Sequence, residues 1–257
     1  MSKAENIIAI ASGKGGVGKT WLAITLSHLI ARSGRRILLF DGDVGLANVD
    51  VQLGLTPNQD LSSVFSGKSH IKDVITNYSA GFDIVAGRSG TASLMALTPA
   101  KLESIREELT SVATNYDLVI IDLGAGIEEY VRSLTSIASK CIVVVTDEPT
   151  SLTDAYAFIK LCTASKNMPE IHVVVNQAQT LRDGEKTFAS LSKACVSFLK
   201  LSPPLLGIIR KDNKIKDAIR AQKSLLINAP HSTAASDAAT ISIKLMQKEK
   251  LASKMGG

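Results

Sequence analysis

Aromatic residues are scarce in this chain: they make up 4% of 257 residues, against an apolar fraction of 45%. A core short of rings has to be filled with Ile, Val, Leu and Ala, a filling that suits a parallel sheet buried on both faces. Cysteine is nearly absent too. Cys141, Cys162 and Cys195 lie far apart in apolar or helical contexts and form no C-x-x-C pair. That excludes a disulfide framework or a cysteine metal site and leaves three reduced structural thiols. No apolar run approaches the ~20 residues of a membrane span. The start, Met1-Ser2-Lys3-Ala4-Glu5-Asn6, lacks the apolar stretch of a signal peptide. The expectation is a cytoplasmic protein. The charge imbalance is modest as well: +5 permits attraction to anionic surfaces without itself arguing for nucleic acid.

Repeats, low-complexity tracts and long linkers are also missing. The length suits one α/β domain, assigned to residues 1–247, followed by a polar basic tail at 248–257. Short apolar runs at 7–11, 37–40, 82–86, 117–121, 141–145, 171–175 and 205–209 read as strands. Helical patterns lie near 99–114, 151–165, 184–200, 213–221 and 233–247. The alternation implies right-handed crossovers and a mostly parallel central sheet with helices on both faces. Ligands of such sheets bind beyond the carboxyl ends of the strands. That edge is where the chemistry-bearing residues fall.

After the first strand comes Gly13-Lys14-Gly15-Gly16-Val17-Gly18-Lys19-Thr20. It fits the P-loop pattern, in which glycines let backbone N–H groups close around phosphate oxygens. Lys19 then neutralises β/γ charge and the Thr20 hydroxyl reaches a Mg²⁺. Leu22, Ile24, Leu26, Leu29 and Ile30 continue it as a helix whose N-terminus faces the phosphates.

The second strand ends in Asp41-Gly42-Asp43. Alternate residues of an extended chain point the same way, so both carboxylates can face a nucleotide. Asp41 suits the Mg²⁺ shell, and Asp43 suits positioning or deprotonating the attacking water. The fourth run ends in Asp122, the Walker B pattern, where the acid orients water on Mg²⁺. Leu123-Gly124-Ala125-Gly126 reads as a flexible turn able to sense a γ-phosphate. Asn176, ending another strand, can donate and accept on an adenine edge. His172 reads as structural, and His28 and His70 have no carboxylate or serine partner that would suggest a triad. Together these parts make a complete, slow ATPase. Lys14 is a second loop cation, suited to contact phosphates across a dimer interface.

Lys14 through Thr20, with Asp41-Gly42-Asp43 and Asp122, resembles the MinD/ParA family, whose P-loop carries this deviant Walker A motif. The resemblance implies a deviant P-loop NTPase fold and an ATP-dependent switch. Such a switch is monomeric with ADP, a face-to-face homodimer around ATP and Mg²⁺, and is reset by hydrolysis. Lys14 then matches the signature lysine and Asp43 the residue that activates water. Gly45-Leu46-Ala47-Asn48-Val49-Asp50-Val51 and Leu53-Gly54-Leu55 look like the MinD side. The runs Asp122 to Ile127 and Glu148 to Tyr156 look like the flagellar-number regulators of the FlhG/FleN type.

For that branch the resemblance implies partners among flagellar proteins: the GTPase FlhF, switch-complex proteins or a transcriptional activator. Few residues precede the first strand, where branch members often carry an extension that engages FlhF. Ile209-Arg210-Lys211-Asp212 stands where a proline usually follows the last strand, and Arg210 is the candidate to stack on the base instead. Ala234, Ala238, Ile241 and Leu245 form a stripe suited to packing on the domain, while residues 248–257 give no clean apolar face. Only weak, dimer-dependent contact with the inner membrane, at a pole, is expected. Two alternatives use the same core: a ParA-like DNA-segregation ATPase and a MinD-like division-site regulator. DNA would call on Lys211, Lys214, Lys216, Arg220 and Lys223, for which a solvated helix face is the simpler account.

Overall fold

The computed structural model describes residues 4–87, 98–165 and 167–255, with side chains described up to residue 247. Within them one sheet is built from β1 (Ala4–Ser12), β2 (Ile37–Gly42), β3 (Ile75–Tyr78), β4 (Phe82–Val85), β5 (Leu118–Ala125), β6 (Ala138–Val145), β7 (Glu170–Ala178) and β8 (Leu205–Arg210). Their order is β3-β4-β2-β5-β1-β6-β7-β8. Every neighbouring pair is parallel except β3–β4 at one edge. The chain leaves β1 toward β2 on one side and later adds β6 on the other. A crevice therefore opens at the carboxyl end of β1, which is where the glycine-rich loop begins.

The helices are α1 (Lys19–Ala31), α2 (Val49–Leu53), α3 (Leu61–Phe65), α4 (Pro99–Ala113), α5 (Glu129–Thr135), α6 (Pro149–Thr163), α7 (Leu181–Ala194), α8 (Asn213–Arg220), α9 (Leu225–Asn228) and α10 (Thr233–Met255). Strand alternation divides them between the two sheet faces. Ile7, Ala9 and Ala11 of β1 pack with Leu109, Leu134, Phe158 and Leu191 from α4 to α7. Ile8 and Ile10 pack with Leu22 and Leu26 of α1, Ala218 of α8 and Ile241 of α10. Both faces of β1 are thus dry, and the aliphatic composition is what fills them. The three cysteines are free and buried, as expected of structural thiols.

Several local expectations need correction. Leu123, Gly124 and Ala125 are not a turn: they continue β5, with Ala125 registered against Ser12 of β1. β3 was not anticipated, because Ile75, Thr76, Asn77 and Tyr78 form a short edge strand whose first three side chains are only partly buried or exposed. The helix placed near 184–200 starts earlier, at Leu181 under a Thr180 cap, and passes at Cys195–Leu199 into a single π turn. Gly184 sits inside it because a Cβ there would lie 2.4 Å from Ile208 Cγ2.

The stripe of Ala234, Ala238, Ile241 and Leu245 is buried, as its spacing suggests. α10 extends past residue 247 to Met255; the reading of the tail's polar faces concerns side chains outside the described residues. Among the described residues no helix is long and apolar enough to cross a membrane.

Gly207 is what lets α10 lie so close to β8, since a Cβ there would fall 2.4 Å from Ile241 Cγ1. Gly207→Ala is expected to destabilise the fold by about 1–3 kcal/mol in chemical denaturation. Ile241→Val in the same chain should recover part of that loss. An unchanged midpoint for Gly207→Ala would contradict this packing.

Candidate active site

The loop between β1 and α1 closes on a helix left open at its N-terminus. Gly18 holds the N-cap position in the left-handed region (φ 94°), with no side-chain cap and no acid in the first turn. By contrast, α4, α7 and α8 are capped by Thr98, Thr180 and Asp212. Uncapped N–H groups at the positive end of a helix form an anion site. They face a cavity of about 780 Å³ lined by Gly15, Gly16, Gly18, Lys19, Thr20, Asp43, Asn176 and Arg210 among others. Of the sequence-assigned loop residues, Gly15, Gly16, Gly18, Lys19 and Thr20 line it, while Gly13, Lys14 and Val17 do not.

Two glycines are required by contact. A Cβ on Gly13 would fall 2.2 Å from the backbone carbon of Asp154 in α6, and one on Gly18 would fall 2.4 Å from Asn176 Nδ2. Asn176 in turn donates from Nδ2 to the Val17 carbonyl at 2.7 Å and accepts from Gln177 N–H at 2.9 Å. It pins the loop, and one N–H and one lone pair of its amide remain for a ligand. Gln177 beside it holds a positive φ of 59°, a strained backbone for a non-glycine residue.

At the phosphate end, Lys19 is buried, and its Nζ donates to Ser12 Oγ at 2.9 Å. Ser12 Oγ passes its own hydrogen to the Lys14 carbonyl at 2.6 Å. Burial lowers the Lys19 pKa, opposed by the charges of Asp122 and Asp43. Asp41 and Asp122 stand opposite each other in the β2–β5 register and are both buried. Asp41 accepts backbone N–H bonds from Asp43, Asn48 and Val49 at 3.1 to 3.2 Å. Even so, burial first and the Asp122 charge second push its carboxyl well above the usual range. Burial likewise pushes Asp122 up to about 7, against the Thr20 hydrogen bond and the Lys19 charge. Asp122 Oδ1 has no hydrogen-bond partner among the described residues. A buried, under-partnered carboxylate pair beside a hydroxyl is a donor set that fits a hard divalent cation.

Asp43 lines the cavity and turns its Oδ1 to the Gly45 and Leu46 N–H groups at 3.3 and 2.9 Å. It thus closes a turn and faces the cleft at the same time. Lys14 points elsewhere: its ammonium is ion-paired with Glu148 and donates to Thr150 Oγ1 at 2.9 Å, at the start of α6. Arg210 is held in a fork by Asp237, with Nε and Nη2 at 3.0 and 2.7 Å, so its guanidinium plane is fixed at the cavity wall. Of the basic residues near α8, Lys211 and Lys216 line the cavity and Lys214 pairs with Asp217.

Sequence reasoning missed Ser12, Trp21, Tyr130 and a role for Glu148. Trp21 and Tyr130 line the cavity, and the Tyr130 hydroxyl is raised to about 12 by burial and then by the Asp43 and Glu128 charges. A polar residue just before the loop was the available signal for Ser12; the others depend on long-range placement. His28 and His70 also need correcting. His28 Nδ1 lies 2.8 Å from Ser224 Oγ and His70 Nδ1 lies 3.2 Å from Glu108 Oε1. Neither histidine lines the cavity. His172 is buried, with Nε2 3.0 Å from Glu170 Oε1.

A mostly parallel sheet with an uncapped glycine loop, a buried lysine and a buried acid pair in register on β2 and β5 defines a P-loop NTPase. A family model described as an AAA domain matches residues 5–173. The antiactivator FleN of Pseudomonas aeruginosa is 38% identical over 228 residues, covering 89% of this chain and 81% of FleN. The flagellum site-determining protein YlxH of Helicobacter pylori is 31% identical, covering 87% and 76% of the two chains. The septum site-determining protein MinD of Pyrococcus horikoshii, solved with Mg-ADP, superposes with a TM-score of 0.79 at 25% identity, covering 95% and 96%. The chain belongs to the MinD/ParA family of ATPases, on the branch that includes FleN and YlxH.

The acid pair makes a stability prediction with a definite sign. Asp122 binds its proton more tightly folded than unfolded, so nucleotide-free stability falls as pH rises from about 4 to about 7. Asp122→Asn should flatten that fall and raise the melting temperature at pH 8 by about 2–4 °C or more. A lower melting temperature for the variant would contradict the electrostatic assignment.

Proposed function

We propose that the protein is an ATP-gated dimerising switch that regulates flagellar number or placement through protein partners. The flagellar part rests on the similarity to FleN and YlxH across most of their lengths. The switch rests on the position of Lys14. Its ion pair with Glu148 is partly solvent-exposed, with side-chain exposures of 36% and 58%, and such a pair holds only about 0–1 kcal/mol. A phosphate chain presented by a second copy would outcompete it. Leu46, on the cavity wall and 73% exposed, offers apolar surface for that copy to cover.

In this reading the uncapped α1 N-terminus and Lys19 take the β- and γ-phosphates, and Thr20, Asp41 and Asp122 hold Mg²⁺ directly or through water. When bound, Mg-ATP supplies the transferable phosphoryl group and the charge that balances the acid pair. Asp43 orients the attacking water and accepts its proton. Asn176 and Arg210 flank the base. Residues 1–247 act as the ATPase unit, and 248–257 supply at most a weak basic contact to membrane. A flagellar GTPase of the FlhF kind is one partner class of this reading. Switch-complex proteins or a transcriptional activator are the other partner classes of this reading.

Light scattering on a sizing column with Asp43→Ala tests the switch. A monomer with ADP and a dimer with ATP and Mg²⁺ are expected; a monomer in both states contradicts it. Lys19→Ala should weaken nucleotide binding by about 10- to 100-fold in calorimetry. Lys14→Ala should bind ATP as a monomer and lose turnover by about 10³-fold. Normal dimers with normal turnover would defeat the role given to Lys14. Cells carrying Lys19→Ala in place of the native gene should have an abnormal flagellar number, counted by electron microscopy; a normal number would sink the flagellar role.

A further inference from the structure

Tyr130 is the only aromatic residue of α5, and its ring packs, partly buried, against the core cluster on that side of the sheet. Its hydroxyl reaches over the end of β5. A Cβ built on Gly124 would lie 2.5 Å from Tyr130 Oη and 3.2 Å from Asp43 Oδ1. A phenol oxygen and a carboxylate oxygen therefore flank the same bare position, and both residues line the cavity. That position belongs to the phosphate end. The Asp43 charge acts on both Lys19 and Asp122, and Ala125, next along β5, stands opposite Gly15 of the loop.

The two groups differ in the way that holding a water requires. Burial, and after it the charges of Asp43 and Glu128, raise the Tyr130 hydroxyl to about 12. It keeps its proton at neutral pH and is available as a donor, whereas a carboxylate only accepts. Asp43 Oδ1 already accepts from the Gly45 and Leu46 N–H groups, and among the described residues no hydrogen bond joins it to the phenol. A water lying between them would give a hydrogen to Asp43 and accept one from Tyr130. Asp43 alone fixes one direction of that water; a donor on its other side fixes a second and leaves one lone pair to attack. An oriented nucleophile is much of what phosphoryl transfer asks of a protein.

We propose that Tyr130 is a second holder of the attacking water, its phenol O–H donating to the water oxygen while Asp43 accepts the water's proton. The inference rests on the ATPase reading above and deepens it. The water oxygen bonds to the γ-phosphorus as the bond from phosphorus to the β,γ-bridging oxygen breaks. The electron pair of that bond leaves with ADP, the water's proton passes to Asp43, and Tyr130 keeps its own. Tyr130→Phe leaves the ring in the core and removes the donor. Its kcat at saturating ATP and Mg²⁺ should fall by about 10- to 100-fold. Affinities for ADP and for a non-hydrolysable ATP analogue, measured by calorimetry, should hold, as should the ligand-free melting temperature.

An unchanged kcat would mean that the hydroxyl does not touch the water. A loss of affinity for the ATP analogue with ADP binding intact would place the hydroxyl on the γ-phosphate instead and overturn the inference. Weaker binding of both nucleotides, or a lower melting temperature, would make Tyr130 a support of the fold, with the same consequence. A wild type that binds ATP and Mg²⁺ as a dimer yet never hydrolyses it would overturn the ATPase reading, and this inference with it.

Discussion

Two carboxylates facing each other in the middle of a dry sheet are the constraint around which this structure is arranged. Asp41 and Asp122 stand in register on adjacent parallel strands, so the topology that buries β2 and β5 also forces the acids together. Three backbone N–H groups satisfy part of Asp41, and Lys19 with Thr20 satisfies part of Asp122. An under-partnered oxygen remains on Asp122. Burying like charges side by side is destabilising unless a cation completes the set. In the proposed function, a bound Mg-nucleotide corrects this local imbalance.

The glycine loop meets this acid pair through contacts that leave it little freedom. Gly13 touches the backbone of α6, and Gly18 is wedged between Asn176 and Trp21. The loop is therefore registered against β7 on one side and against the helix that begins with Glu148, Pro149 and Thr150 on the other. A shift of the loop has to be felt at the start of α6, where Lys14 is held. In the proposed switch, these contacts are the route by which nucleotide binding at the loop would act on Lys14.

Much of this was legible in the sequence because its signals are local. A glycine-rich octapeptide, an acid pair two residues apart and an apolar run ending in aspartate each carry their meaning within a few positions. What was illegible depends on distance. Glu148 is separated from Lys14 by 134 residues, and Asn176 from the Val17 carbonyl by 159. Gly124 and Ala125 read as a turn by composition, but ladder pairing with β1 overrides propensity and keeps them extended. The helix expected near 184–200 begins before Gly184, whose absent side chain serves close packing on Ile208.

The most direct test of the central claim is a melting experiment on the wild type at pH 8, with ADP alone, Mg²⁺ alone, and both together. If the acid pair awaits a cation that the nucleotide helps to hold, both together should stabilise by much more than the sum of the separate shifts. Strictly additive shifts, or an ADP effect unchanged by chelation of Mg²⁺, would contradict the account.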